Sequence, residues 1–340
     1  MPSSADADTR QIIDEIVSIV NERLRGDEGD AVETFIRHYY AGTAVEDLTE
    51  ASVKDLYGAA LAHWNFLKQR EPGTPKIRVY NPQVEEHGWE STHTIVEIVT
   101  DDMPFLVDSV RMAINRRGLT IHLLIHPVMR LRREKSGRAV GILTGESKDS
   151  GSIVEAIMHI EVDRQTEQKI LDGVVADIES VLADVRSAVK DWKAMRGKLA
   201  EILEELKNAP PPLEKEDIKE ARAFLEWIDD NHFTFLGYRE YELSQKDGED
   251  ALKSIIKSGL GILADGRSAS ESKSFSSLPP EVRRLAREKK LLIITKGNSR
   301  STVHRPGYLD YIGIKRFNAK GEVVGERRFL GLYTSAAYNR

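Results

Sequence analysis

One short stretch of this sequence has the residue types of a ligand site. A run of Val, Ile and Thr typical of a strand ends in Asp101 and Asp102, and Pro104 and Leu106 then begin a helical pattern. Where a strand ends and a helix begins, free backbone N–H groups and the helix dipole can hold a carboxylate. Residues 100–109 are therefore the candidate binding site, and a simply capped helix start is the alternative.

Two histidines invite a metal hypothesis, which their spacing disfavours. His122 and His126 lie four residues apart in a predicted strand. On a strand both would share one face but lie ~13 Å apart, too far to ligate one ion. We interpret them as packed or surface histidines.

Basic residues cluster at two places. A predicted hairpin tip carries Arg130, Arg132, Arg133, Lys135 and Arg138, and a predicted helix carries Arg283, Arg284, Arg287, Lys289 and Lys290. The hairpin cluster is typical of a solvated turn, with an anionic ligand or acidic partner as the alternative. The helix lacks interleaved aromatic residues, which disfavours nucleic-acid binding.

The motifs of several enzyme classes are missing. Gly259, Gly261 and Gly266 do not have the dinucleotide-binding spacing, and no phosphate-binding loop, His-Glu-x-x-His or Gly-x-Ser-x-Gly sequence occurs. The sequence therefore predicts no catalytic residue, no cofactor-binding residue and no metal ligand in this chain.

Composition describes a soluble globular protein. The chain has 340 residues, a net charge of −6 and no cysteine, which suggests two or three domains without disulfides or a thiol nucleophile. The negative charge disfavours a nucleic-acid partner. Neither a signal peptide nor a membrane span is evident, so we expect a cytoplasmic protein without a membrane partner.

The elements around the candidate site predict an α+β fold. Residues 1–75 form a helical N-terminal segment of three amphipathic helices, the second beginning at a capping box of Asp30 and Glu33. Strands follow at 76–80, 92–100, 119–132, 139–144 and 153–162, with a helix starting near Asp102, a hairpin at 134–137 and a Gly/Ser loop at 145–152. This order approaches the βαββαβ of a ferredoxin-like sandwich.

A long helix and a second domain complete the chain. From Thr166 no strong breaker occurs before Asn208, and Gly197 is a point at which the helix could divide. The apolar stripe of this helix either packs on the first domain or forms an oligomerisation seam. The three prolines at 210–212 mark a boundary, and we expect domains at 76–207 and 213–340.

The domain at 213–340 is predicted to be antiparallel α+β and PAS-like. Its predicted elements are a helix ending near Asn231, strands at 233–243, 291–296, 308–317 and 323–334, helical turns at 251–259, a serine-rich loop at 268–277 and a helix from Pro280.

Three segments make the chain recognisable. Residues 91–110 (STHTIVEIVTDDMPFLVDSV), 122–128 (HLLIHPV) and 224–241 (FLEWIDDNHFTFLGYREY) resemble the N-terminal region of the large multidomain bacterial NAD-specific glutamate dehydrogenases. The likeness runs over roughly residues 11–340. Within it, Asp102, Met103, Pro104, Phe105 and Leu106 resemble the Asp-x-Pro-Gly-Leu turn of ACT domains, which bind amino acids as effectors.

The resemblance implies a regulatory role. The parent polypeptide would convert L-glutamate, NAD and water to 2-oxoglutarate, ammonia and NADH, with its catalytic domain far C-terminal to these residues. The chain also stops just after a strand, so we expect an excised regulatory segment, inactive alone. NAD would belong to the parent enzyme, and the implied partners are the catalytic domain, further copies of the chain and an amino-acid effector.

One departure from the ACT pattern matters. Phe105 stands where effector sites usually have Gly, which lets backbone approach the ligand. We expect the fold to persist with the pocket filled and turned into a packing interface. If Phe105 instead faces the core, Asp101, Asp102, Met103 and the first N–H groups of the helix remain the ligand candidates.

Three rival functions remain. The chain could be a free-standing amino-acid sensor, which a gene ending near residue 340 would favour. It could be a purely structural oligomerisation region, which a fragment that stays monomeric would weaken. An enzyme active within these residues lacks a constellation of acid, base and nucleophile.

Overall fold

The computed structural model describes residues 4–143, 151–246, 249–266 and 288–334. The chain divides into two compact units, Met1–Leu182 and Ala183–Arg340. The predicted serine-rich loop at 268–277, most of the predicted loop at 145–152 and most of the basic helix that begins at Pro280 lie outside the described residues. In the described part of the chain, no helix is long and apolar enough to cross a membrane.

The first unit begins with helices α1 (Ser4–Arg23), α2 (Gly26–Tyr40), α3 (Val45–Thr49) and α4 (Val53–Leu67). The three predicted amphipathic helices are present, but the predicted capping box is wrong. Because Gly26 adopts φ +68°, the chain reverses within two residues and α2 begins there. Asp30 and Glu33 therefore lie inside α2, where Glu33 pairs with Arg37 at 2.9 Å.

Buried aromatic rings hold the helices to the sheet that follows. Phe35 on α2 packs against Trp64 on α4, with ring centroids 5.3 Å apart. The same apolar cluster includes Val99, Ile125 and Ile157 from the sheet. The helical segment and the first sheet therefore share one core.

Six strands form the first sheet: β1 (Lys76–Tyr80), β2 (Thr94–Asp101), β3 (Ile121–Ile125), β4 (Val128–Arg133), β5 (Ala139–Ile142) and β6 (Ser152–Val162). Their order is β1-β2-β6-β4-β5, β3 also pairs with β6, and every pairing is antiparallel. Between these strands lie α5 (Val84–His87) and α6 (Leu106–Arg116), and α7 (Gln168–Asn208) follows β6.

Two sequence predictions about this sheet are wrong. The predicted strand at 119–132 is two strands, because Pro127 has no N–H to donate and the ladder is interrupted there. The edge beside β2, which the last strand of a βαββαβ sandwich would fill, is occupied by β1 instead. Arg78 on β1 lies opposite Glu97 on β2, and their ion pair supports this pairing.

The second unit is built from the later part of α7, α8 (Lys215–Trp227), a helical turn at Ile228–His232 and the strands β7 (Phe233–Lys246), β8 (Glu249–Ser254), β9 (Leu260–Gly261), β10 (Leu292–Arg300), β11 (Tyr308–Phe317) and β12 (Val323–Tyr333). The antiparallel order is β10-β11-β12-β7-β8, with β9 paired to β7. The four predicted strands are present. The helical turns predicted at 251–259 are wrong, because β8 pairs with β7 as a hairpin.

Much of the apolar stripe of α7 packs against other parts of the chain. Met195 and Leu199 pack in the core of the second unit with Phe235 and Phe329, and Ile178 is buried in the first unit. The prediction that this helix packs on the first domain is therefore met only in its first part, because Met195 and Leu199 lie in the core of the second unit. The oligomerisation seam stays a prediction, and Trp192 of the stripe is exposed. The two antiparallel sheets and their helices confirm the predicted mixed α+β class. The PAS-like character and the boundaries at 75/76 and 207/213 stay predictions.

Candidate functional site

The predicted effector turn joins β2 to α6. The amide of Asp102 donates to the Val154 carbonyl at 3.0 Å, which anchors the turn to β6. Phe105 is the residue before the helix, and its carbonyl accepts from the Ser109 amide at 3.1 Å. The helix therefore begins at Leu106, and Pro104 precedes it rather than lying in its first turn as predicted.

Phe105 holds the backbone conformation that favours glycine. Its φ is +72° and its ψ is 0°, in the left-handed region. For a residue with a Cβ this conformation costs roughly 1–2 kcal/mol. The turn thus keeps the shape that the ACT resemblance implies while carrying a bulky ring, and such strain is characteristic of functional positions.

A small cavity of about 160 Å³ lies beside the turn. It is lined in part by Asp102, Met103, Phe105, Leu106, His126 and Val128. Ligand pockets typically measure about 300–1,000 Å³, so this cavity falls below that range. The half-buried Phe105 ring and the 51% exposed Val128 leave an apolar surface here in place of an open pocket.

Asp101 belongs to a buried ion network. Its Oδ1 accepts from Arg70 Nη2 at 2.6 Å, and the same nitrogen donates to Glu155 at 2.6 Å. Arg133 donates to both oxygens of Glu155, at 2.6 and 2.8 Å. Burial lowers the pKa of Arg70, but Glu155 and Asp101 outweigh that effect and raise it. The Asp101 carboxylate therefore has a structural role in this network. Of the two predicted carboxylates, only the exposed Asp102 faces the turn.

The two histidines considered for a metal do not share a strand face. His122 lies in β3, where its Nε2 donates to Asp163 Oδ1 at 2.8 Å and its ring stacks on His93 with ring centroids 4.4 Å apart. His126 lies in the break after β3 and lines the small cavity. Pro127 causes that break, which the strand prediction did not foresee.

The basic hairpin cluster is divided between core and solvent. Arg133 is buried in the ion network, contrary to the solvated-turn prediction, because Glu155 lies within its reach from the neighbouring β6. Arg132, Lys135 and Arg138 are exposed. Of the second cluster, residues 283–287 lie outside the described part of the chain, and Lys289 and Lys290 are exposed.

A larger cavity in the first unit was missed by the sequence analysis. It measures about 570 Å³, within the range typical of ligand sites. Its polar lining includes His93, His122, His159, Glu161, Asp55 and Asp47. The residues come from separate strands, helices and loops, so no local spacing could reveal them.

Among the carboxylates that line this larger cavity, Glu161 makes the most polar contacts with described residues. It pairs with His93 Nδ1 at 2.9 Å, accepts from Ser91 at 3.2 Å and contacts His159 Nε2 at 3.4 Å. Burial raises the pKa of Glu161, but His159 and His93 together lower it below its ordinary value. The larger cavity therefore presents an ionised carboxylate among imidazoles.

Comparison with known proteins finds a family that is similar to the first unit. Residues 35–178 match the family described as "Glutamate dehydrogenase, ACT1 domain". The match begins inside α2 and includes the whole first sheet and the turn at 101–106. This part of the chain is therefore similar to the ACT1 domain of glutamate dehydrogenases.

Full-length relatives extend the likeness to both units. The chain is 38% identical over 321 residues to the NAD-specific glutamate dehydrogenase of Halomonas elongata, covering 94% of this chain and 20% of that protein. It is 39% identical to the Pseudomonas aeruginosa enzyme of the same name, covering 91% and 19%, and 27% identical to that of Mycobacterium tuberculosis, covering 82% and 16%. The chain thus spans about a fifth of the length of these relatives, and the resemblance to the large NAD-specific glutamate dehydrogenases is confirmed.

Proposed function

We propose that this chain is the non-catalytic regulatory and assembly region of an NAD-dependent glutamate dehydrogenase. The whole polypeptide would oxidise L-glutamate to 2-oxoglutarate and ammonia and reduce NAD to NADH. The names of the relatives and the ACT1 match support this proposal. Its partners would be the catalytic part of the same polypeptide and further copies of the chain, and cytoplasmic location stays the expectation from sequence.

The observation that carries the role of this region is the conformation of Phe105. A ring in the left-handed region beside a cavity of about 160 Å³ fills the place where an amino-acid effector would approach backbone. The apolar surface formed by the half-buried Met103 and Phe105 and the exposed Val128 suits contact with another protein surface. We therefore propose that the turn packs against a neighbour and binds no amino acid.

Regulation of this kind works by coupling. A neighbouring subunit or an effector must bind one arrangement of the domains better than another, because equal affinity for both shifts nothing. Helix α7 supplies residues to both compact units, and we propose that it carries the coupling between them.

Two measurements test this proposal. The purified chain should form no NADH from glutamate and NAD, whereas the whole polypeptide that the gene encodes should form it. Deleting residues 1–340 from the whole polypeptide should change its oligomeric state or its response to effectors. Glutamate-dependent NADH formation by the chain alone would contradict the proposal, as would a deletion that leaves assembly and regulation unchanged.

The larger cavity favours one alternative, a free-standing amino-acid sensor. Its size suits a small metabolite, and the ionised Glu161 could pair with an ammonium group. In that case an amino acid would raise the unfolding temperature of the chain, and Glu161→Gln would abolish the effect while Phe105→Gly would not. A gene that ends near residue 340 would add support for this alternative.

A further inference from the structure

Three side chains of metal-ligating type meet in the core of the first unit. His63 comes from α4, Glu97 from β2 and His159 from β6, and the last two lie opposite each other in the sheet. Each can offer one ligand atom, and these atoms lie within 4.8 Å of one another. All three residues are buried, at 0%, 0% and 2% exposure.

Each histidine has one ring nitrogen engaged and the other without a partner among the described residues. His63 Nδ1 is 3.0 Å from the Tyr39 hydroxyl, and His159 Nε2 is 3.4 Å from Glu161. His63 Nε2 and His159 Nδ1 are buried without a hydrogen-bond partner among the described residues, and the Ile98 backbone lies close to the His63 ring. A buried polar atom left unsatisfied costs about 1–3 kcal/mol. The two rings have centroids 6.3 Å apart, so their two unsatisfied nitrogens point to something that both contact.

This is the pattern of metal-bound imidazoles. A ligating histidine presents one nitrogen to the ion and gives the other to a carboxylate or another oxygen, which fixes its orientation. Glu161 and Tyr39 occupy those outer positions here. Glu97 is held in the same way, since Arg78 Nε donates to it at 2.9 Å and the Tyr80 hydroxyl at 3.1 Å. Carboxylate oxygens have further lone pairs, so these bonds leave Glu97 able to ligate.

Charge also suits a cation. Two carboxylates, Glu97 and Glu161, and one nearby cation, Arg78, leave a net negative charge around the imidazoles. His159 also lines the larger cavity, which gives an ion a path from solvent.

We propose that His63, Glu97 and His159 bind a divalent transition-metal ion of the zinc type. Two nitrogen ligands and one carboxylate are an established donor set for Zn²⁺, with bonds of about 2.0–2.2 Å. The three groups must draw slightly together to share one ion at those lengths. This site departs from the sequence prediction of no metal ligand, and a buried water molecule is the competing occupant.

The test begins with the unaltered chain. After purification without chelators, elemental analysis should find bound zinc at one equivalent per chain, and the metal-free protein should regain one equivalent in equilibrium dialysis. Co²⁺ in place of zinc should give the visible absorption of a low-coordinate nitrogen and oxygen site. A chain that retains no metal and takes up neither ion would overturn the proposal in favour of water.

Variants then locate the ion. His159→Gln and Glu97→Gln should each lower zinc affinity by at least tenfold. His38→Gln is the matched control, because His38 is an exposed histidine on α2 whose ring lies in hydrogen-bond contact with the Thr34 carbonyl, away from the proposed site. Circular dichroism of each variant shows whether it folds, and the cobalt spectrum of the unaltered chain decides the matter if a variant does not. Unchanged zinc affinity in folded His159→Gln would contradict the proposal.

Discussion

Arg70 joins Asp101, at the end of β2, to the buried Glu155 of β6, with both contacts at 2.6 Å from the same nitrogen. Arg70 follows α4, so the helical segment is bonded to the sheet at the point where the effector turn begins. Arg133 completes the network from β4. The first residue of the predicted ligand turn therefore serves the packing of helices on the sheet.

Removing the central charge of this network should be costly. Glu155→Gln leaves Arg70 and Arg133 buried with too little negative charge, and breaking a buried pair costs about 3–5 kcal/mol. Urea unfolding should show this loss. Glu33→Gln, which removes an exposed partner of Arg37, is the control and should cost less than about 1 kcal/mol. A loss for Glu155→Gln no larger than that of the control would show that the network contributes little.

Because of the strain at Phe105, we expect glycine to be more stable than alanine at this position, which is the reverse of their order inside a helix. Because φ is +72°, Phe105→Gly should be more stable than Phe105→Ala by about 1 kcal/mol. At the exposed helical position Arg111 the order should reverse, with Ala more stable than Gly by about 1 kcal/mol. Thermal or urea unfolding of the four variants measures both differences. Equal stability of the two Phe105 variants would mean that the turn is not left-handed.

Two helical glycines should respond oppositely to alanine. A Cβ at Gly58 in α4 would lie 2.3 Å from the Cβ of Trp89, so Gly58→Ala should destabilise the first unit by about 1–3 kcal/mol. Gly197 in α7 has open space around it, so Gly197→Ala should stabilise by up to about 1 kcal/mol. Unfolding free energies of the two variants give the comparison. Stabilisation by Gly58→Ala would show that Trp89 does not pack there.

Asp163 should remain ionised in acid. The backbone amide of Thr120 and the His122 ring lower its pKa to about 2. A lowered carboxyl pKa contributes stability that is present above its ordinary value of 3.8 and is lost as the pH falls through about 2. An NMR titration of the carboxyl carbon measures the pKa directly, and His122→Ala should raise it. A midpoint near 3.8 in the unaltered chain would contradict the geometry.

The elements of this fold were largely predictable because amphipathic and alternating patterns are local. The errors lie where the conformation of a single residue determines where a helix or strand begins or ends. The φ of Gly26 moved the start of α2, and Pro127 divided a strand. Which strand occupies a sheet edge depends on long-range pairing, as with Arg78 and Glu97, and no local pattern reports it.

The site was predictable in part for the same reason. The turn at 101–106 has a local motif, and Phe105 in the place of Gly can be read directly from the sequence. Two features could be recognised only from the three-dimensional structure, because the residues involved lie far apart in the sequence. They are the ion pair of Asp101 and the proximity of His63 to His159. Residues joined only by tertiary structure leave no signal in a single sequence.

We propose that the turn at 101–106 is a packing surface closed to amino acids. Thermal unfolding of the chain against a panel of amino acids and keto acids tests it most directly, since a ligand at ~100 times its dissociation constant adds ~2.7 kcal/mol to the folded state. We predict that no amino acid or keto acid raises the unfolding temperature by binding at the turn. A shift with one amino acid that Asp102→Ala abolishes would contradict the account and restore the effector pocket.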